Sequence, residues 1–153
     1  MIISDSTTLI VLFDLDRTDL LSNLFSTIII PTSVFKEIST KNELVLPNFM
    51  SVIAVQNSEL LESLKMILDD GESEAIALAV ETKSKLIIDE KKGRKIAINQ
   101  GVEIIGLLGI VYLNVKREFL LKQQAIKLLD DIQTHGYRIS QRIIDDMLEM
   151  LDS

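Results

Sequence analysis

The chain has 153 residues, 47% of them hydrophobic and 25% charged, which is the composition of a folded domain rather than of a disordered segment. Its formal net charge of −7 argues against a broad basic face for nucleic acid, so any contact with phosphate has to be local or to pass through a cation. The absence of cysteine and the presence of one histidine exclude thiol nucleophiles, disulfides and cysteine-rich zinc sites, which leaves carboxylates as the reactive groups.

Short apolar strands alternate with helices along the sequence. The predicted strands are Met1 to Ser4, Thr27 to Ile30, Ser51 to Val55, Leu86 to Ile88 and Val102 to Ile105. The predicted helical segments are two short helices, one with Leu9 to Phe13 and one with Leu20 to Phe25, then a helix that opens after Pro31 with Thr32 or Ser33 as its hydroxyl cap. They are followed by Asn57 to Leu68, Glu72 to Thr82, Lys91 to Asn99, Gly106 to Phe119, Lys122 to Ile132 and Gln141 to Leu151. This alternation predicts an α/β fold with a mostly parallel central sheet. Because no linker or repeat divides the chain, we expect residues 1–153 to form one domain.

Neither a membrane span nor a secretion signal is predicted. The longest apolar run, Ile104 to Leu113, falls well short of the roughly 20 residues that cross a bilayer. Asp5 interrupts the apolar N-terminal stretch, and no basic residues precede it. We therefore expect a cytoplasmic protein that makes no membrane contact.

Acidic residues follow the predicted strands. Asp5 stands at the end of the first strand and Asp89 at the end of the fourth, while Glu37 is expected about one turn into the helix after the second strand. Glu72 and Glu74 fall in the first turn of the helix that precedes the fourth strand. Because ligands gather at the carboxyl ends of parallel strands, we expect these side chains to meet at one edge of the sheet.

This group of carboxylates predicts a metal site. Carboxylates held close together repel one another unless a divalent cation neutralises them, and oxygen ligands without histidine or cysteine favour Mg²⁺ or Mn²⁺. The natural chemistry of such a site is phosphodiester hydrolysis. Taken singly, each carboxylate has another interpretation: Asp5 as a helix cap, for example, or Glu72 as a charge that complements the helix dipole.

Four segments resemble, in this order, the motifs of PIN domains: Asp5 to Ile10, Ile30 to Ile38, Gly71 to Ala79 and Leu86 to Glu90. The sequences GESEAIALA, IIDEKKGRKIA and IGLLGI most closely resemble a subfamily of VapC-like, toxin-like proteins predicted to bind nucleic acid. The resemblance extends from Met1 to about Leu148.

The resemblance implies a three-layer α/β/α sandwich and a metal-dependent endoribonuclease of the kind found as the toxin of toxin–antitoxin pairs. Asp5, Glu37 and Asp89 match the acidic metal site of the family. Glu74 matches its third acidic position, and Glu72 is the competing candidate for that position. The resemblance also gives Glu90 an assisting role.

Substrate and partner contacts are also implied. Ser6 matches a small hydroxyl residue that orients water or phosphate. Lys91, Lys92 and Arg94 follow Asp89 and are candidates for binding flanking phosphates, with a solvated helix face as the alternative. The expected partners are RNA, a cognate antitoxin and a second copy of the chain in a homodimer. The aromatic residues, Tyr112 and Tyr137 among them, are too few and too scattered along the chain to predict a base-stacking platform.

Two alternatives to a ribonuclease remain open. A PIN-like domain that has lost catalysis would bind only RNA or a partner protein. The segment Val11 to Thr18 resembles the motif of haloacid-dehalogenase phosphatases, in which Asp14 would attack phosphorus and Asp16 would act as acid and base. Arg17 stands where that motif has a glycine, which counts against the phosphatase.

Overall fold

A parallel sheet forms the centre of the computed structural model, which describes residues 1–40 and 43–152. Its strands are β1 (Ile2–Ser4), β2 (Ile28–Pro31), β3 (Met50–Ile53), β4 (Lys85–Ile87) and β5 (Ile104–Ile105). The five strands lie in the order β3-β2-β1-β4-β5, and every pair is parallel. In the centre of the sheet, Ile3 of β1 is opposite Ile29 of β2, and Ser4 is opposite Ile87 of β4.

Helices connect the strands and cover the sheet. They are α1 (Ser6–Asp14), α2 (Asp19–Ser22), α3 (Thr32–Ile38), α4 (Glu59–Lys65), α5 (Asp70–Thr82), α6 (Lys91–Asn99), α7 (Leu107–Lys116), α8 (Lys122–Thr134) and α9 (Gln141–Leu151). In the part of the chain that the structure describes, no helix is both long enough and apolar enough to cross a bilayer.

Successive strand residues are buried on opposite faces of the sheet. Ile2 and Ile28 pack into one hydrophobic core, with residues of α1, α7, α8 and α9. Ile3 and Ile29 pack into a second core, with residues of α4, α5 and α6. Both faces are apolar because both are covered by helices, as is typical of parallel sheets. The predicted three-layer α/β/α sandwich is therefore confirmed.

The start of α3 differs from the prediction. The N-cap position belongs to Pro31, which makes no side-chain cap hydrogen bond, and Thr32 and Ser33 already lie within the helix. The prediction of a hydroxyl cap was therefore wrong. Because α3 spans only Thr32–Ile38, Glu37 lies both about one turn from its start and in its last turn. This places the Glu37 side chain over the start of α5, against Gly71.

Candidate active site

The two central strands deliver two acidic residues to the same edge of the sheet. Asp5 directly follows β1, and its N–H donates a hydrogen bond of 2.9 Å to the carbonyl of Ile87, the last residue of β4. Asp89 lies two residues beyond β4. Since β1 and β4 are parallel neighbours, Asp5 and Asp89 leave the sheet side by side.

Asp5 is a buried carboxylate with one unpartnered oxygen. The residue is 3% exposed, and its Oδ1 has no hydrogen-bond partner among the described residues. Burial is the main reason why the pKa of Asp5 is raised, to about 7. The charges of Glu37, Asp69 and Asp89 act in the same direction, while a hydrogen bond from the Ser6 backbone lowers the pKa. A cation beside Oδ1 would remove the cost of ionising this group.

Glu37 reaches the same region from the last turn of α3. The Ser6 hydroxyl donates a hydrogen bond of 2.6 Å to Glu37 Oε2. The other oxygen, Oε1, lies against Gly71 in the first turn of α5, where a Cβ atom would collide with it. Partial burial and the charges of Asp69 and Asp70 raise the pKa of Glu37, against the lowering effect of hydrogen bonds from Ser6 and Gly71. Because residue 71 is glycine, the Glu37 carboxylate can pack against the backbone of α5.

Glu72 is the second buried carboxylate with a free oxygen. It is 8% exposed, and its Oε2 has no hydrogen-bond partner within the described chain. Burial is the largest cause of the rise in the pKa of Glu72 to about 8, followed by the hydrogen bond and charge of Asp69 and by the charge of Asp5. A Cβ atom on Gly93 would lie 2.7 Å from Glu72 Oε2, so glycine lets α6 pack closely over this group.

Asp89 is held by donors on two other elements. The Thr8 hydroxyl, on α1, donates to Asp89 Oδ2. The backbone N–H of Leu107, the first residue of α7, donates to Oδ1 at 3.0 Å and lies 3.3 Å from Oδ2. A Cβ atom on the preceding Gly106 would lie 2.6 Å from Asp89 Oδ1, so this approach also depends on glycine. Asp89 is therefore fixed in orientation, with its charge near the N-terminus of α7.

The structure also brings Asp69 to this site, which the sequence analysis missed. Asp69 is the N-cap of α5, and its side chain accepts a hydrogen bond of 2.8 Å from the Glu72 N–H. Its charge contributes to the raised pKa values of Asp5, Glu37 and Glu72. An aspartate three residues before a glutamate is a cap signature, so the signal was present in the sequence. We call Asp5, Glu37, Asp69, Glu72 and Asp89 the carboxylate cluster.

Glu74 points to a different partner. Its carboxylate accepts hydrogen bonds from the Ser33 N–H (3.2 Å) and the Ser33 hydroxyl, at the start of α3. Two positions apart on a helix, Glu72 and Glu74 project in directions about 200° apart. The geometry therefore favours Glu72 as the third acidic residue of the cluster, and gives Glu74 the role of joining α3 to α5.

The other candidate residues lie around the cluster. The Ser6 hydroxyl is engaged with Glu37. Lys91 and Lys92 are exposed in the first turn of α6, and Glu90, at the N-cap position, acts on the cluster as a charge near Glu72. Arg94 is closer to the carboxylates: its Nη1 would lie 3.4 Å from a Cβ atom on Gly106, the residue that packs against Asp89.

The structure does not support the phosphatase alternative. Asp14 is the last residue of α1, and Asp16 lies in the following turn with a φ of 55°. Both side chains are exposed. The nucleophilic aspartate of that motif requires a strand end, whereas Asp14 ends a helix that leads away from the carboxyl edge of the sheet.

The donor set of the cluster fits a hard divalent cation. Within residues 1–40 and 43–152, no three acidic or histidine side chains form a ready-made metal cage. The two free oxygens are nevertheless Asp5 Oδ1 and Glu72 Oε2, both buried and both carboxylate atoms. Oxygen donors of this type suit Mg²⁺ or Mn²⁺, and the mutual repulsion of the cluster would be relieved by binding one.

A comparison with family models identifies the family of the chain. The family model described as a PIN domain matches residues 1–153. The comparison with curated proteins gives no match. The parallel sheet, the flanking helices and the acidic residues at its carboxyl edge are the features that the resemblance to PIN domains implied. The chain therefore belongs to the PIN-domain family.

Proposed function

We propose that this PIN domain is a Mg²⁺- or Mn²⁺-dependent endoribonuclease that hydrolyses RNA phosphodiester bonds at the carboxylate cluster. PIN domains are generally nucleases and typically use divalent metals. The observation that carries the proposal is the pair of buried oxygens that have no hydrogen-bond partner among residues 1–40 and 43–152, Asp5 Oδ1 and Glu72 Oε2. Leaving a buried polar atom unpaired costs about 1–3 kcal/mol, and more for a charged group, so such a pair of carboxylate oxygens is suited to binding a cation.

Each residue of the cluster has a distinct role in this proposal. Asp5 and Glu72 would hold the cation, and Asp89, oriented by Thr8 and the Leu107 N–H, would complete the acidic surface around it. A divalent cation bound here would polarise the phosphate, activate water and stabilise the leaving oxygen. Glu37 is more exposed than Asp5, and a hydrogen bond from the Ser6 hydroxyl orients its carboxylate. In this proposal, Glu37 would therefore accept a proton from the attacking water.

The biological role that we propose is that of the toxin in a toxin–antitoxin pair. It is supported by the resemblance of the GESEAIALA and IIDEKKGRKIA sequences to toxin-like PIN domains. The same resemblance supports a cognate antitoxin and a homodimer as partners. A small protein encoded immediately beside this gene, which neutralises its activity when the two are co-expressed, would be the direct evidence for this role.

The test is cleavage of single-stranded RNA with Mg²⁺ or Mn²⁺, compared between the wild type and the variants Asp5→Asn and Asp89→Asn. We expect both variants to lose at least 100-fold in rate, because each removes a charge from the metal site. Asp14→Asn is the matched control, since Asp14 is exposed at the end of α1, and it should cleave like the wild type. Equal rates in all four proteins would refute the assignment.

A domain that has lost catalysis gives a different result. If the cluster holds a metal, Mg²⁺ or Mn²⁺ should raise the melting temperature of the wild type but not that of Asp5→Asn, because a ligand that binds only the folded state stabilises it. A rise without RNA cleavage would indicate a binding module with an intact metal site. No rise and no cleavage would indicate that the cluster binds no metal.

A further inference from the structure

A cavity of about 570 Å³ opens beside the carboxylate cluster and shares Asp89 with it. One wall comes from β5 and α7, and the other from the segment between α8 and α9 together with α9 itself; the walls include Ile105, Leu108, Tyr112, Tyr137, Ile139 and Met147. We call it the C-terminal cavity. Its volume lies within the range of about 300–1,000 Å³ that is typical of small-ligand sites.

The floor of the C-terminal cavity is shaped by Gly106. A Cβ atom there would lie 2.6 Å from Asp89 Oδ1 and 3.4 Å from Arg94 Nη1. With glycine, both the Asp89 carboxylate and the Arg94 guanidinium can approach the bare backbone at the cavity end nearest the cluster. A ligand in the cavity would therefore extend directly to a proposed metal-site residue.

Two guanidinium groups belong to the lining. They are those of Arg94 on α6 and Arg138 in the segment that precedes α9, and within the described residues neither forms an ion pair. Asp89 and Asp146 are the acidic groups of the same lining. Exposed arginine is well suited to phosphate because its planar fork donates two parallel hydrogen bonds. These cations stand beside the candidate active site of a protein whose net charge is −7.

The lining also combines an apolar surface with aromatic rings. Tyr112 of α7 and Tyr137 are far apart in the sequence, but both face this cavity. Tyr137 is near the cluster as well: burial raises the pKa of its hydroxyl, and the charge of Asp89 and a hydrogen bond with Asp89 raise it further. The structure thus assembles the aromatic surface that the scattered positions of these residues did not predict. Unstacked RNA bases are bound by such rings together with arginine.

We propose that the C-terminal cavity receives one base of the RNA strand next to the scissile phosphate, with Arg94 and Arg138 binding the adjoining phosphates. The proposal rests on the proposed ribonuclease function and extends it to a subsite for substrate recognition. A single base fits within a volume of about 570 Å³, and the position of Asp89 in the lining places that base next to the site of hydrolysis.

Nucleotide binding without metal tests this subsite separately from catalysis. The probes are the four nucleoside 5′-monophosphates, with ribose 5-phosphate as the control that lacks a base, titrated into the full chain in EDTA and followed by NMR or calorimetry. We expect at least one nucleotide to bind at least tenfold more tightly than ribose 5-phosphate. Binding of all five probes with equal affinity, or of none, would overturn the proposal.

Substitutions inside and outside the C-terminal cavity test where the nucleotide binds. Arg138→Ala should weaken nucleotide binding about tenfold, whereas Arg142→Ala should not, because Arg142 is exposed on α9 and does not line the cavity. Leu108→Trp should block the cavity. If Leu108→Trp does not fold, the pair of arginine variants still decides the outcome. Equal affinities for Arg138→Ala and Arg142→Ala would place the nucleotide elsewhere and overturn the proposal.

The outcomes separate the subsite from the ribonuclease. If the wild type cleaves RNA but no nucleotide binds, the subsite is refuted and the ribonuclease is upheld. If nucleotides bind as expected but RNA is not cleaved, the base site is upheld and the ribonuclease is refuted. If the chain dimerises and Leu108→Trp abolishes the dimer, a second copy occupies the cavity, which overturns the proposal.

Discussion

Replacing Asp5 with asparagine should stabilise the metal-free protein at neutral pH and flatten the pH dependence of its stability. Burial raises the pKa of Asp5 from 3.8 to about 7 in the folded protein. Between these values the folded protein keeps a proton that the unfolded chain has released. The stability that this proton contributes is fully present below about pH 4 and is lost as the pH rises through 7.

The size of the effect follows from the pKa difference. One unit corresponds to about 1.4 kcal/mol, so Asp5 lowers the free energy of unfolding by up to about 4 kcal/mol between pH 4 and pH 7. Solvent screening reduces this value little, because Asp5 is 3% exposed. Glu72, whose pKa is raised to about 8, acts with the same sign and at higher pH. Asparagine carries no charge, so the variant loses the contribution of Asp5 and also the part of the rise in the Glu72 pKa that the charge of Asp5 causes.

The assay is urea unfolding in EDTA at pH 5, 6, 7 and 8, followed by circular dichroism. The difference in stability between Asp5→Asn and the wild type should grow by about 2 kcal/mol in favour of the variant from pH 5 to pH 7. Asp14→Asn, which changes an exposed carboxylate, should follow the wild type at every pH. Parallel pH curves for Asp5→Asn and the wild type would refute the argument that burial raises the pKa of Asp5.

Two further predictions concern the supports of the cluster. Glu74→Ala should lower the free energy of unfolding by about 1–2 kcal/mol, since it removes both hydrogen bonds from Ser33. In the Glu74→Ala background, Ser33→Ala should cause little further loss of stability. Additive effects of the two substitutions in the double-mutant cycle would contradict the pairing. Gly93→Ala would stabilise an ordinary helix by about 1 kcal/mol, but here the added Cβ would lie 2.7 Å from Glu72 Oε2 and 2.8 Å from Ile88 Cδ1. Urea unfolding should therefore show a loss of stability, and a gain would disprove the close packing.

The sequence was sufficient to predict the parallel sheet and the two acidic residues, Asp5 and Asp89, that follow β1 and β4 at its carboxyl edge. Each strand is a short apolar run bounded by polar residues, and parallel strands place their carboxyl ends at one edge. Asp5 and Asp89 could be assigned to that edge because each closely follows its strand. Because the end of a strand restricts the position of the residues that follow it, Asp5 and Asp89 can be placed at the edge without knowing how the helices pack on the sheet.

Residues on helices were harder to assign because their direction depends on tertiary contacts. Glu72 and Glu74 lie in the same helical segment, and the sequence alone does not say which faces Asp5. The answer depends on Ser33, about forty positions earlier, which holds Glu74. Tyr137 is equally remote from Asp89, and only the packing of the C-terminal segment brings the two together.

The central position of β1 has a consequence for how the protein is made. Asp5 emerges early from the ribosome, but its strand is completed on one side by β4, which ends just before Asp89. A growing chain therefore carries no assembled acidic centre until translation has passed position 89, and no cavity wall until it has passed Tyr137. If the protein cleaves RNA as proposed, the nascent chain should therefore have no nuclease activity until these segments have been synthesised.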